Sequence, residues 1–259
     1  MTIPEIRALL QKADARELAA LERTLVADTR KGVKTALEVA RRRIKAEAAE
    51  RERIVSLYSF ERSFLGDGQN IIIGLDEVGR GAVAGPLAVG AVVLPDTPVI
   101  PGLNDSKQLT PEQRESIASD IKRVALAWVV EYIEPADIDR DGMTASLRRA
   151  FKGALSRIES SGIHPDVVLL DGNPLHIDER ETNVVKGDAK CASIAAASIV
   201  AKVTRDELMR EIDGRYPGYD FTGNKGYGSP QHIEAIKALG LSPVHRKTFC
   251  RSFMQESLF

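Results

Sequence analysis

The chain has 259 residues, of which 43% are hydrophobic and 28% are charged, and its formal net charge is −1. This composition fits one sizeable hydrophobic core with an appendage, and the near-zero charge excludes a protein-wide positive field for nucleic acid. The two cysteines, Cys191 and Cys250, have no paired spacing, which excludes a disulfide framework and a cysteine-bound zinc site. There is no signal-peptide pattern and no apolar run long enough to cross a bilayer, so we expect a cytoplasmic protein without a membrane partner.

Residues 1–66 predict a helical extension. Thr2 and Glu5 have the spacing of a capping box, and a break at Gly32 separates two stretches in which apolar residues recur at helical spacing. The second stretch contains Val33, Leu37, Ala40 and Ile44. Residues 1–70 hold 14 Lys and Arg against 11 Asp and Glu. Because this excess is small, we favour a solvated helical appendage over a supplementary nucleic-acid grip.

A glycine-containing linker at residues 65–68 leads into the main domain, predicted at 71–250 and followed by a tail at 251–259. The main domain opens with an apolar, β-branched run at 71–75, which is typical of a strand buried on both faces. Asp76 and Glu77 end this run. Two adjacent carboxylates there raise the free energy of folding unless a cation lies between them. The alternative is that they merely solubilise a turn.

The next three residues, Gly79, Arg80 and Gly81, favour a phosphate ligand. The glycines let the backbone approach a ligand closely, and the arginine supplies a planar, permanently charged fork. Together with the two carboxylates they indicate a metal-dependent site for a phosphodiester. A dinucleotide-binding loop is the competing interpretation, since Gly85 completes a glycine-rich pattern after a strand. It is set aside because residues 85–94 predict a strand where that loop requires a helix.

The remaining elements alternate between strand and helix. Residues 86–94 predict a second strand in a hairpin with the first, and a capping box at Thr110 opens a helix to about residue 125. A strand at 128–133, a helix at 143–160 and a strand at 167–170 that ends in Asp171 follow. A short strand at 182–186 precedes a long small-residue helix, which we expect Asp188 to open and neighbouring elements to bury. The predicted fold class is therefore α/β.

Four carboxylates lie at strand or helix ends, where open α/β sheets place their active sites: Asp76, Glu77, Asp171 and Asp188. If they converge, they form an oxygen-rich site suited to Mg²⁺ or Mn²⁺, and two such ions ~4 Å apart can assist an in-line displacement. Each also has an ordinary structural interpretation. Asp188 can be a helix N-cap, and Asp171 with its following glycine can be only a turn.

Six short motifs in order resemble bacterial ribonuclease HII, the type 2 ribonuclease H. They lie at residues 76–81, 105–107, 170–172, 186–190, 201–206 and 224–228, and the resemblance extends from about residue 71 to 249. It implies a ribonuclease-H-like fold, a mixed central sheet flanked by helices. It also implies a monomeric endonuclease that cleaves RNA in RNA–DNA hybrids and incises 5′ of ribonucleotides embedded in duplex DNA, leaving 3′-hydroxyl and 5′-phosphate ends.

The same resemblance assigns roles to individual residues. Asp76, Glu77, Asp171 and Asp188 become the metal-binding catalytic tetrad. The backbone of Gly79, Arg80 and Gly81 would recognise the 2′-hydroxyl, and Tyr227 would stack on the neighbouring deoxyribose. Lys107, Lys190 and Lys225 are candidate phosphate contacts, with plain solvation as the alternative. Two rival interpretations remain, a hybrid-binding module without activity and the related ribonuclease HIII, whose N-terminal domain would contain β-structure.

The last five residues, 255–259, read Gln-Glu-Ser-Leu-Phe. They resemble the glutamine-x-x-leucine-phenylalanine peptides with which bacterial replication and repair proteins bind the sliding clamp. Leu258 and Phe259 are apolar anchors at a chain terminus, and such segments usually become ordered only by docking. The alternative is that they fold back beside Phe253 and Met254.

Overall fold

The computed structural model describes residues 1–97 and 100–254. The chain separates into two compact units, Met1–Val55 and the chain from Ser56 onward. Within the described residues, no helix is both long and apolar enough to span a membrane.

The N-terminal unit consists of helices α1 (Ile3–Lys12), α2 (Ala15–Thr24) and most of α3 (Lys31–Arg62). The predicted capping box is confirmed, since Glu5 N donates to Thr2 Oγ1 and Thr2 N donates to Glu5 Oε2. The core is apolar and includes all four residues of the predicted stripe: Ile6, Leu10, Leu18, Leu25, Val33 and Ala40 are buried, and Leu37 and Ile44 pack against them. The predicted break at Gly32 is wrong, because α3 already begins at Lys31.

The second unit is built on one five-stranded sheet. Its strands are β1 (Ile72–Val78), β2 (Leu87–Val93), β3 (Ala127–Ile133), β4 (Val167–Asp171) and β5 (Glu181–Val184), in the order β3-β2-β1-β4-β5. β1 and β2 pair antiparallel, as predicted, and so do β2 and β3, whereas β1 pairs parallel with β4 and β4 with β5. The mixed sheet expected of the fold class is therefore confirmed.

Seven helices accompany this sheet within the described residues. They are α4 (Pro111–Val124), α5 (Pro135–Asp141), α6 (Met143–Ser160), α7 (Ala192–Arg215), α8 (Phe221–Asn224), α9 (Pro230–Leu239) and α10 (Lys247–Met254). The capping box at Thr110 and the bounds of α6 agree with the prediction. α5, α8, α9 and α10 were not predicted. The last two are short, and in them apolar periodicity has few turns in which to appear.

Helix α7 packs directly against the two central strands. A Cβ atom on Gly74 would collide with the backbone of Ser193 and Ile194, and one on Gly90 would collide with Ala197 O. The two glycines therefore allow the small-residue helix to lie unusually close to the sheet, as its composition predicted. On the sheet face with Ile73 and Leu75, the core is closed mainly by α6. This close packing fixes α7 beside the ends of β1 and β4.

Candidate active site

Asp76 and Asp171 lie near the carboxyl ends of two neighbouring parallel strands, Asp76 two residues before the end of β1 and Asp171 at the last residue of β4. The last residue pair between β1 and β4 is Leu75 with Leu170, so each aspartate directly follows the last pair between these two strands. The Asp76 side chain is buried, and Glu77 next to it is partly buried. The carboxyl ends of adjacent parallel strands lie at one edge of the sheet, which is where open α/β sheets bind ligands. The strand pairing thus places these carboxylates close together.

Asp188 also lies beside Asp171, but in a different local structure from the one predicted. It lies in a 3₁₀ turn, Gly187–Ala189, and α7 begins four residues later with Cys191 as its N-cap. The expectation that Asp188 opens the long helix is therefore wrong. Gly187 N donates to Asp171 Oδ1 at 2.6 Å, which attaches the turn to the end of β4. The Asp171 carboxylate thus serves both as a structural acceptor and as part of the cluster.

The four carboxylates lie close enough to influence one another's pKa. Burial, together with the charges of Glu77, Asp171 and Asp188, raises the pKa of Asp76 well above its ordinary value, against a hydrogen bond from Ser198. Burial also raises the pKa of Glu77, and Arg80 opposes this from 3.4 Å. The pKa of Asp171 is raised by burial and by Asp188, against the hydrogen bond from Gly187. Each of these shifts arises first from burial of the carboxylate and then from the negative charge of its neighbours.

One lysine partly neutralises the cluster. Lys107, which lies in a 3₁₀ turn at Ser106–Gln108, places its Nζ 3.0 Å from Asp188 Oδ2 and 3.9 Å from Asp105 Oδ1. Burial would lower the pKa of Lys107, but the hydrogen bond and charge of Asp188, with Asp105 and Asp76, raise it overall. An ammonium thus lies beside the carboxylates at the place where the sequence predicted a phosphate contact.

Asp76, Glu77 and Asp171 form one wall of a cleft of about 430 Å³, and Asp188 does not line it. Its other walls carry most of the predicted substrate residues, and its lining is Asp76, Glu77, Val78, Gly79, Arg80, Gly81, Ser106, Lys107, Arg114, Asp171, Ser198, Lys202 and Tyr227. Lys190 and Lys225 do not line it, and the Lys225 ammonium instead donates to Thr222 O. A larger groove of about 770 Å³ lies in the N-terminal unit, but its lining is mainly apolar and offers no carboxylate cluster.

The glycine loop of the cleft has two kinds of glycine. Gly79 has φ +82°, and a Cβ atom there would collide with the Arg205 guanidinium. Gly81 has no such constraint, because a Cβ atom there would meet nothing within 4 Å. Within the described chain, no acceptor is found for the backbone N–H groups of Arg80 and Gly81. Those two donors are therefore available to a ligand in the cleft.

Four polar side chains of the cleft were not singled out from the sequence: Ser106, Arg114, Ser198 and Lys202. Lys202 bonds Asp206 at 2.8 Å, and Arg114 lies 3.8 Å from the same carboxylate. Ser198 and Lys202 are four residues apart on α7, so they share a helix face, a signal that was available in the sequence. Arg114 had no such signal, because its position depends on the packing of α4 against α7.

The donor set fits a hard divalent cation. All four groups offer carboxylate oxygens, the ligands preferred by Mg²⁺ and Mn²⁺, and burial makes their mutual repulsion costly without a cation. In the part of the chain described, no three His, Cys, Asp or Glu side chains are already gathered at metal-coordinating geometry. The fit therefore rests on the chemistry, burial and shared electrostatics of the carboxylates.

Comparison with known proteins gives consistent matches over both parts of the chain. The family model described as ribonuclease HII matches residues 73–253, and the model described as ribonuclease HII N-terminal domain matches residues 2–65. A ribonuclease HII of Ruminiclostridium cellulolyticum is 46% identical over 207 residues, which are 80% of each chain. A ribonuclease HII of Halalkalibacterium halodurans is 40% identical over 249 residues, 96% of this chain and 94% of the relative.

Solved structures share the fold. Ribonuclease H2 of Pyrococcus horikoshii has a TM-score of 0.60 at 29% identity, covering 71% of this chain and 97% of that one. Ribonuclease HII of Archaeoglobus fulgidus, solved as a complex with PCNA, has a TM-score of 0.60 at 26% identity, covering 72% and 98%. A Bst ribonuclease HIII in complex with Mn²⁺ has a TM-score of 0.54 at 22% identity, covering 72% and 70%, which is a likeness of fold alone.

Proposed function

This chain belongs to the ribonuclease HII family and is a metal-dependent endoribonuclease for RNA–DNA hybrids, and we propose that it also incises duplex DNA 5′ of a single embedded ribonucleotide. The incision leaves 3′-hydroxyl and 5′-phosphate ends. The observation that carries this proposal is the convergence of Asp76, Glu77, Asp171 and Asp188 beside a glycine loop with open N–H groups. Both matched family models describe ribonuclease HII, which separates the chain from the ribonuclease HIII alternative.

The four carboxylates are the proposed ligands of two divalent cations, Mg²⁺ or Mn²⁺. Such ions lower the pKa of an attacking water and offset charge on the leaving oxygen. The raised pKa of Asp76, Glu77 and Asp171 supports this, because it marks buried carboxylates with little positive charge beside them. A cation would relieve the repulsion that those shifts record. An inactive hybrid-binding module would gain nothing from a buried carboxylate cluster that repels a polyanion.

The glycine loop is the proposed reader of the ribose. The 2′-hydroxyl both donates and accepts hydrogen bonds, and it is the group that distinguishes RNA from DNA. The open N–H groups of Arg80 and Gly81 can donate to it, and the space in front of Gly81 leaves room for the sugar. Tyr227, which is 39% exposed and lines the same cleft, is the proposed stacking partner of the adjacent deoxyribose. Lys107, with Arg114 and Lys202, supplies positive charge for the flanking phosphates.

A labelled duplex with one ribonucleotide tests this function. With Mg²⁺ or Mn²⁺ we expect a single nick on the 5′ side of the ribonucleotide and an upstream product that a polymerase extends, which requires a 3′-hydroxyl. The matched all-DNA duplex should stay intact, and EDTA should stop the reaction. Binding without a nick would identify an inactive module. A nick on the 3′ side would contradict the proposed chemistry.

The sliding clamp is the proposed protein partner. Residues 255–259 lie outside the described residues, so the support is their Gln-x-x-Leu-Phe pattern and the solved complex of an archaeal ribonuclease HII with PCNA. Tethering to a clamp raises the local concentration of an enzyme that searches DNA for rare ribonucleotides. Replacing Leu258 and Phe259 with alanine should abolish capture on immobilised clamp and leave oligonucleotide cleavage unchanged. Undiminished capture would contradict this assignment.

A further inference from the structure

Two buried histidines lie behind the Tyr227 wall of the cleft. His232 on α9 is 0% exposed, and His245, two residues before α10, is 2% exposed. Their Nε2 atoms are 3.1 Å apart. The rings of Tyr219 and Phe221 cover them, with centroids 4.8 Å from His245 and 5.3 Å from His232 respectively. Neither histidine lines the cleft or belongs to the carboxylate cluster.

The other nitrogen of each ring has a fixed partner. Ser242 N donates to His245 Nδ1 at 3.0 Å, and Ser242 Oγ lies 2.8 Å from the same atom. His232 Nδ1 lies 2.8 Å from Tyr227 O. A backbone N–H can only donate and a carbonyl oxygen can only accept, so the two ends of this chain of bonds have defined polarity.

The two ends of this chain of hydrogen bonds require one consistent pair of tautomers. Because Tyr227 O accepts, His232 carries its proton on Nδ1, and its Nε2 must then accept from His245. Because Ser242 N donates, His245 Nδ1 is unprotonated, and its proton is on Nε2, facing His232. Burial lowers the pKa of His232, and burial with the neighbouring His232 lowers the pKa of His245 to about 4, so both rings are neutral at pH 7. Each hydrogen bond therefore has one donor and one acceptor.

We propose that His232 and His245 are positioning residues that hold Tyr227 against the substrate, a role that rests on the proposed contact of Tyr227 with the deoxyribose. Tyr227 O accepts from His232 and also from Ser229 N at 2.8 Å. The backbone of His245 forms a bridge with Ala84, in the segment that continues from the glycine loop. The pair thus connects the tyrosine that contacts one sugar with the segment that reads the 2′-hydroxyl of the next.

The tautomers can be measured directly in the full-length protein. Two-bond ¹H–¹⁵N NMR at pH 7 should show His232 protonated on Nδ1 and His245 on Nε2, with signals assigned from single histidine variants. The opposite tautomer or an imidazolium at either residue would overturn the proposal. This readout does not depend on enzymatic activity.

Two substitutions of His232 provide a matched pair. Asparagine places its amide near the position of Nδ1 and can still donate to Tyr227 O, whereas glutamine places its amide near Nε2 and cannot. Loss of one such bond corresponds to about a five- to tenfold fall in kcat/KM at a single embedded ribonucleotide. We therefore expect His232→Gln to lose that much and His232→Asn to retain most of the activity. Equal loss in both variants would overturn the proposal.

A double-mutant cycle with Tyr227→Ala shows whether the histidine acts through the tyrosine. If it does, His232→Gln should reduce activity in the wild-type background and change nothing further in the Tyr227→Ala background. If the activity losses of the two variants are additive, the inference about the histidines is overturned and the proposed role of Tyr227 stands. The same holds if Tyr227→Ala loses activity and His232→Gln does not. An unchanged rate in Tyr227→Ala itself would refute the proposed role of Tyr227 and the inference with it.

Discussion

Lys107 Nζ lies 3.0 Å from Asp188 Oδ2, so a side-chain ammonium contacts one of the four clustered carboxylates. Lys107 is also 77% exposed, which leaves it free to change partners when a cation or a phosphate arrives. The pair therefore connects the proposed metal ligands with the proposed phosphate contacts.

The first prediction concerns the competition between the Lys107 ammonium and a metal ion for the Asp188 carboxylate. Lys107→Gln removes the ammonium, and since partly exposed pairs contribute about 0.2–1 kcal/mol, Mn²⁺ should bind with equal or up to about fivefold higher affinity. The KM for substrate should rise because a phosphate contact is lost. Calorimetry and steady-state kinetics measure the two effects. Lys190→Gln, outside the cleft, should change neither, and weaker Mn²⁺ binding in Lys107→Gln would contradict this account.

The second prediction separates the two loop glycines. Gly81→Ala should change the free energy of unfolding by less than about 0.5 kcal/mol, because its methyl group enters open space in the cleft. It should nevertheless impair incision, since that space is where we place the ribose. Gly79→Ala should destabilise the fold by about 1–3 kcal/mol, given its φ of +82° and the Arg205 side chain behind it. Full activity in Gly81→Ala would refute the ribose assignment.

Much of this site was predictable because it follows from strand periodicity. The apolar runs before Asp76 and Asp171 identified two strands, and parallel pairing brings their ends together without further information. Asp188 was grouped with the other three carboxylates from the sequence but was assigned to the wrong local structure. Lys186 has φ +57° and begins the turn that carries Asp188, and a left-handed lysine gives little signal in a single sequence.

What the sequence could not reveal depends on contacts between distant residues. Ser193 N and Oγ both donate to Glu61 Oε2 at 2.7 Å, so a glutamate from the end of α3 satisfies the start of α7. Cys191, the N-cap residue, makes no side-chain capping bond. A capping residue 132 positions away has no local spacing pattern. Residues 1–66 were predicted as one helical extension, and Glu61 within that stretch bonds the start of α7.

The third prediction follows from that contact. A chain starting at Ser56 retains Glu61, whereas one starting at Gln69 loses it and leaves the first N–H groups of α7 without this acceptor. The shorter chain should be less stable by at least about 1–2 kcal/mol in denaturant unfolding, because it also loses the apolar contacts of Phe64 and Leu65. Both should keep metal-dependent incision at temperatures where they are folded. Equal stability of the two chains would contradict the capping role.

The fourth prediction is a pH dependence. The pKa of His245 falls to about 4 from an ordinary value of 6.5, so the folded state binds fewer protons than the unfolded state between these values. The resulting stability is complete above pH 6.5 and is lost as pH falls through about 4, by on the order of 2 kcal/mol. His245→Gln should remove this part of the pH dependence, as measured by denaturant unfolding at several pH values.

The comparison of variant with wild type is essential for that measurement. Burial raises the pKa of Glu61 to about 7 from an ordinary value of 4.5. Its contribution is therefore complete below pH 4.5 and is lost as pH rises through about 7, opposite in sign to that of His245. Only the difference in unfolding free energy between wild type and His245→Gln isolates the contribution of the histidine. An identical pH profile would show that His245 does not titrate as described.

The most direct test of the proposed site is the rate of 5′ incision at one embedded ribonucleotide by Asp171→Asn in Mg²⁺. Asparagine keeps an oxygen that can accept from Gly187 N, so the turn carrying Asp188 should persist and the protein should remain folded. The substitution removes one charge from the proposed metal site. We predict a loss of at least about 100-fold relative to wild type. Incision at the wild-type rate by the folded variant would contradict the assignment of these carboxylates to the metal site.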